Sequence, residues 1–142
     1  MNAFSKKSIT AEMAERMIDA AQKKALQIGV PMVISIVDES GVLKAYRRMD
    51  GAPLLSVEIA QNKAWTAASF GMATHDLHDF IKDDPQLNNG IVHTPRFTAY
   101  GGGFPIKIDR EVIGGIGLSG GHYSHDMECG KAALEVYESS FA

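Results

Sequence analysis

Between residues 101 and 121 the chain places glycine where a strand normally places side chains: Gly101-Gly102-Gly103-Phe104-Pro105, then Gly114-Gly115-Ile116-Gly117-Leu118-Ser119-Gly120-Gly121. Glycine inside a strand gives up side-chain packing and marks a point where something approaches the backbone closely. That neighbour is a ligand, another strand or another chain. The block lies between apolar segments, which distinguishes it from a disordered linker, and it is expected to frame the functional surface.

Around it the chain reads as an alternation of helices and hairpins. Met13, Met17, Ala21, Ala25 and Ile28 recur at helical spacing, with Thr10 as cap and Gly29 and Pro31 as stop signals, so the spacing predicts a helix from about Thr10 to Ile28. Pro31–Val37 reads as a buried strand, turned by Asp38-Glu39-Ser40-Gly41 into a second strand, Val42–Arg48. Pro53 opens an alanine-rich helix, Leu54–Phe70, whose Ala60, Ala64, Ala67 and Ala68 permit close approach to a sheet or a neighbouring subunit. Thr74 or Asp76 opens a short helix through Ile81. Gln86–Thr94 reads as a loop, and Phe97–Tyr100, Pro105–Ile108 and Glu111–Leu118 as strands, the last two joined by a tight turn at Asp109-Arg110. Ser124 or Asp126 is expected to cap a final helix. Hairpins join most strands, so the expectation is an α/β (α+β) fold with an antiparallel five-stranded sheet flanked by helices, one domain over residues 1–142.

At 142 residues and 45% hydrophobic the chain is large enough to bury a core unaided. Its net charge is −3 and its 14 Lys and Arg residues are scattered, which argues against nucleic acid as a partner. No run approaches the roughly 18 apolar residues of a membrane helix, and Met1–Lys7 lacks the apolar stretch of a signal peptide, so a cytoplasmic protein is expected. The single Cys129 excludes an internal disulfide and reads as a small packing residue.

Three groups of residues carry chemistry. Ser119-Gly120-Gly121 leads into a helix, and exposed N–H groups at a helix start favour an anion such as a carboxylate; the alternative is a plain strand-to-helix turn. His122 and His125 flank that turn and could act as acid or base. Arg47 or Arg48, on opposite faces of their strand, could hold a carboxylate, one of them more often on a solvated face; Lys63, set among alanines, could serve as a base or Schiff-base former, although a lysine of this kind more often keeps its charge in water. His75 and His78, three apart on one helix face, could meet a divalent metal or haem iron, but the sequence offers no third ligand and no metal site is assigned. His93 stands alone in the loop.

Val37-Asp38-x-x-Gly41, Arg48-Met49-Asp50-Gly51-Ala52, Lys63-Ala64-x-Thr66-Ala67, Gly102-Gly103-x-Pro105-Ile106 and Val112 through Gly121 together resemble the GlcG-type, HbpS-like haem-binding family, which is related to the C-terminal domain of PduO-type cobalamin adenosyltransferases. The resemblance implies a profilin-like fold and a homo-oligomer, often a tetramer or octamer. It implies a binding module for haem or another small anionic molecule, placed by the residue reading near Arg48, Lys63, Ser119, Gly120 and Gly121. In the PduO-type domain a histidine of the N-terminal helix holds haem, whereas residues 1–74 here contain no histidine. A small enzyme acting on a carboxylate through His122 or His125, and a ligand-free accessory oligomer, are the other readings that fit.

Overall fold

A computed structural model describes residues 2–141. The elements run α1 (Ala11–Ile28), β1 (Val33–Asp38), β2 (Leu43–Arg48), α2 (Leu55–Phe70), α3 (Thr74–Ile81), α4 (Pro85–Ile91), β3 (Gly103–Ile108), β4 (Glu111–Ser119) and α5 (Tyr123–Ser139). The strands form one sheet in the order β2-β1-β4-β3 with every neighbouring pair antiparallel.

One face of the sheet carries the main core. Ile34, Ile36, Ala45, Phe104, Ile106, Ile116 and Leu118 pack there against Ala14, Met17, Ile18, Ala21 and Ala25 of α1 and Cys129, Ala133 and Tyr137 of α5. The Thr10 hydroxyl accepts from the Met13 N–H at 3.1 Å, capping α1, and Gly29 closes it in the left-handed conformation at φ 71°.

The opposite face is covered by α2, and here the glycines find their reason. A Cβ on Gly115 would lie 2.5 Å from the Ala64 carbonyl oxygen, one on Gly103 would lie 2.7 Å from that of Lys63, and one on Gly117 would overlap that of Ala60. The period-2 alternation of β4 therefore sends Ile116 and Leu118 into the core and leaves bare backbone under α2. Ala60, Ala64 and Ala67 complete the fit from the helix side, each fully buried. The close neighbour of the glycine block is a helix of the same chain.

The sheet has four strands where the sequence suggested five. Phe97–Tyr100 forms no strand because its donors go elsewhere: Phe97 N–H to the Thr94 carbonyl at 3.1 Å and Thr98 N–H to the Thr66 hydroxyl of α2 at 3.1 Å. The expected loop over Gln86–Thr94 contains α4, whose start is set by Pro85 at the first turn and by Asp84, which accepts from the Leu87 N–H at 3.1 Å. α5 is capped by His122, not by Ser124 or Asp126. The Asp109-Arg110 turn is present, with both residues at positive φ, 53° and 88°. No helix of the described residues is long and apolar enough to cross a membrane.

Candidate functional site

Lys63 projects from α2 and is fully buried. Its Nζ donates to the Leu118 carbonyl at 2.8 Å and to Asp126 Oδ2 at 3.0 Å. Asp126, 1% exposed, stands in the first turn of α5, where the helix dipole favours negative charge. Its second oxygen, Oδ1, accepts from the Gly121 N–H at 3.4 Å. The Tyr100 ring lies over the ammonium, 4.7 Å from Nζ to the centroid, a cation–π geometry. Burial pulls the Lys63 ammonium down and pushes the Asp126 carboxyl up, and their mutual attraction opposes both shifts. Burial also raises the Tyr100 phenol, and the Asp126 charge adds to it.

Two more glycines are explained by this pair. Gly102, at φ 123°, would carry its Cβ 2.6 Å from Lys63 Nζ, and a Cβ on Gly101 would lie 2.5 Å from Met127 Sδ. Side chains at either position would fill the space that the ammonium and the Met127 thioether occupy. Nearby, the Ser119 and Ser56 hydroxyls are hydrogen-bonded at 3.0 Å, tying β4 to the start of α2.

Residues 9–135 match the family described as haem-degrading protein HbpS-like. The chain belongs to the HbpS-like family. It is 35% identical over 131 residues to a 15.0 kDa protein of the dhaT–dhaS intergenic region of Citrobacter freundii, covering 92% of each. It is 39% identical over 116 residues to the corrinoid adenosyltransferase PduO of Salmonella typhimurium, covering 81% of this chain but only 34% of that one, so it spans about a third of PduO. It superposes on the chain of a PduOC–haem complex with TM-score 0.83 and 33% identity, over 91% of this chain and 94% of that one.

In this HbpS-like chain the residues singled out from sequence fall into three places. Lys63 and the Gly120-Gly121 turn meet at an internal acid, the protein's own Asp126, whereas the Ser119 hydroxyl bonds to Ser56. The Lys63 charge lies in the interior, opposite to the solvated lysine that the sequence favoured. Arg48 is exposed on the edge strand, in one row with Val33 and Ser119 and two strands from the latter, about 9–10 Å at the usual strand spacing.

The histidines are dispersed. His122 Nδ1 accepts from the Ser124 N–H at 3.2 Å and lies 2.9 Å from the Ser124 hydroxyl. A backbone N–H can only donate, so Nδ1 is the unprotonated nitrogen and Nε2 carries the proton. His122 therefore presents a donor to solvent, with its ring 4.1 Å from that of Tyr123. His75 packs edge-on against Phe104 at 5.7 Å, its Nδ1 buried without a partner and its Nε2 3.5 Å from Asp76 Oδ1. His78, His93 and His125 are exposed. Among the described residues no group of three or more His, Cys, Asp and Glu side chains is placed to hold a metal ion.

Asp126 is the member the sequence reading missed. It was visible only as a possible cap, because an acid four residues beyond the cap position carries no signal until Lys63 is known to reach it from 63 residues away.

Proposed function

We propose that this chain binds haem as a self-associating module. The observation that carries the reading is the superposition over nine-tenths of both chains on the PduOC–haem complex. The residues present fit such a group in a limited way. Haem supplies the iron, and the chain supplies exposed imidazoles for it. His78 and His125 make no side-chain hydrogen bond among the described residues and are free to ligate. His122 is set by its protonated Nε2 to donate to a propionate carboxylate instead. Tyr123 and Tyr100, 47% and 41% exposed, provide aromatic surface beside the α5 N-terminus. Lys63, fully paired in the interior, acts as a positioning residue for this surface through Tyr100 and Asp126.

Self-association is supported by apolar side chains that the isolated chain leaves in water, among them the adjacent Leu54 and Leu55, 84% and 70% exposed at the start of α2.

A haem titration followed in the Soret region tests the reading, with His75→Ala, His78→Ala, His122→Ala and His125→Ala beside the parent. A saturable band lost in His78→Ala or His125→Ala is expected, with His122→Ala weakened but still ligated. A flat titration removes haem. Sedimentation velocity of the same samples reports the subunit number, and a monomer at all concentrations refutes the self-association.

A further inference from the structure

On the outer side of α2, away from the Lys63–Asp126 pair, a cavity of about 520 Å3 opens between the helix and the β1–β2 hairpin. Its helix wall is a single stripe, Glu58, Gln61, Asn62 and Trp65, the i, i+3, i+4, i+7 pattern of one helix face. Arg96 closes one end. Its guanidinium carbon lies 4.3 Å over the Trp65 ring, and its backbone is in the left-handed region at φ 68°. The Thr66 hydroxyl donates to the Arg96 carbonyl at 3.0 Å. Two successive α2 residues thus hold both ends of Arg96.

That cation has no ion-pair partner among the described residues, and neither has Glu58. The Trp65 indole edge lies against Gly41, whose Cβ would come within 2.7 Å of it, and no described residue accepts from its N–H. Gln61 donates through Nε2 to the Val57 carbonyl at 2.9 Å, which leaves its oxygen as an acceptor. Donors therefore gather at the Trp65–Arg96 end and acceptors at the Glu58–Gln61 end. Seven residues of helix separate the ends, about 10 Å along the axis, and the long Glu and Arg side chains shorten that gap.

We propose that this cavity is a binding site for a small linear carboxylate carrying a hydroxyl or ammonium donor at its far end. The carboxylate sits on the Arg96 fork and the Trp65 N–H, and the donor on Glu58 and the Gln61 oxygen. The site is separate from the haem reading and stands or falls independently of it.

Trp65 is the only tryptophan of the chain, so its fluorescence reports the site directly. The probes are 4-aminobutanoate, 4-hydroxybutanoate and butanoate, which share a chain and a carboxylate and differ only at the far end. Saturable fluorescence changes are expected for the first or second, with butanoate about tenfold or more weaker. The tighter of the two identifies the donor as ammonium or hydroxyl. Arg96→Gln is expected to weaken binding of all three about tenfold or more, and Glu58→Gln to abolish the advantage of the substituted probes. Arg96→Lys, which keeps the charge and loses the fork, should fall between parent and Arg96→Gln. Circular dichroism of each variant confirms the fold. No saturable response to any probe at tens of millimolar, or equal affinities in parent and Arg96→Gln, would overturn the proposal and leave Arg96 as a packing residue on Trp65.

Discussion

Replacing Lys63 by methionine keeps most of the volume and removes the charge, which makes it a clean perturbation of the buried pair. Asp126 then remains 1% exposed with the Gly121 N–H as its remaining side-chain partner. Breaking a buried pair from one side costs about 3–5 kcal/mol. For a chain of this size, at about 3 °C per kcal/mol, the melting temperature should fall by about 9–15 °C. Asp126→Leu should cost a similar amount, because it leaves a buried ammonium facing only the Leu118 carbonyl and the Tyr100 ring. The double variant should recover most of the loss, since two hydrocarbons need no partners, so the coupling energy from the cycle should exceed about 2 kcal/mol. The pH dependence follows from the direction of the Asp126 shift. Burial already raises that carboxyl, and removing the cation raises it further. A carboxyl raised on folding contributes its stability below the unfolded value of 3.8 and loses it as pH rises through the folded value. The deficit of Lys63→Met should therefore be small near pH 4 and grow toward pH 7. Thermal unfolding of the four proteins across that range measures it. Single variants within about 1 kcal/mol of the parent, or additive effects, would show that the pair is solvated and that the argument from burial fails.

Gly117→Ala should destabilise by about 3 kcal/mol, the upper range for overpacking, because the new methyl meets the α2 main chain and not a movable side chain; Gly90→Ala, in α4 with nothing within 4 Å, should be neutral or slightly stabilising. Chemical denaturation of both resolves the difference. Burial pushes the Cys129 thiol from 9.0 up to about 11 and also raises the Tyr46, Tyr100 and Tyr137 phenols. Their stabilising contribution is complete below the unfolded values and is lost as pH climbs through the folded ones, so stability should decline from about pH 9 upward, first through Cys129 and then through the tyrosines, and Cys129→Ala should soften the decline between about pH 9 and 11. Native Cys129 should resist alkylation at pH 8 and react at once in denaturant, since the thiolate is the nucleophile. Asp84→Ala should cost about 1 kcal/mol locally; hydrogen exchange over residues 85–91 should accelerate with little change in melting temperature, because α4 buries no residue.

Elements with clear local signals were legible in the sequence: α1 by its apolar period, α2 by Pro53 and the lack of a breaker before Gly71, and β2 by the turn before it, each starting within a residue of its expected bound. What failed were segments whose state is decided by distant partners. Phe97–Tyr100 has strand-like composition, yet the Thr66 hydroxyl takes a donor that a ladder would need. The cap of α5 was misplaced because histidine is an uncommon cap, and His122 serves only through its Nδ1 tautomer. At the site, glycine spacing announced close approach correctly but not by what, since a helix, a ligand and a second chain all demand the same missing side chains. The Trp65–Arg96 contact joins residues 31 apart and has no local signature.

The glycine floor beneath α2 sets the height of that helix largely through main-chain atoms. Helices seated by interdigitating side chains shift when those side chains change size, but this one rests mainly on glycine backbone, with Val37 and Val112 packed beside it. Of the outward stripe, Glu58, Gln61 and Asn62 take no part in that contact, whereas Trp65 also packs on Gly41 and Arg96. Those three can be exchanged one at a time, and the chain can change what it recognises on that side without renegotiating how α2 is seated.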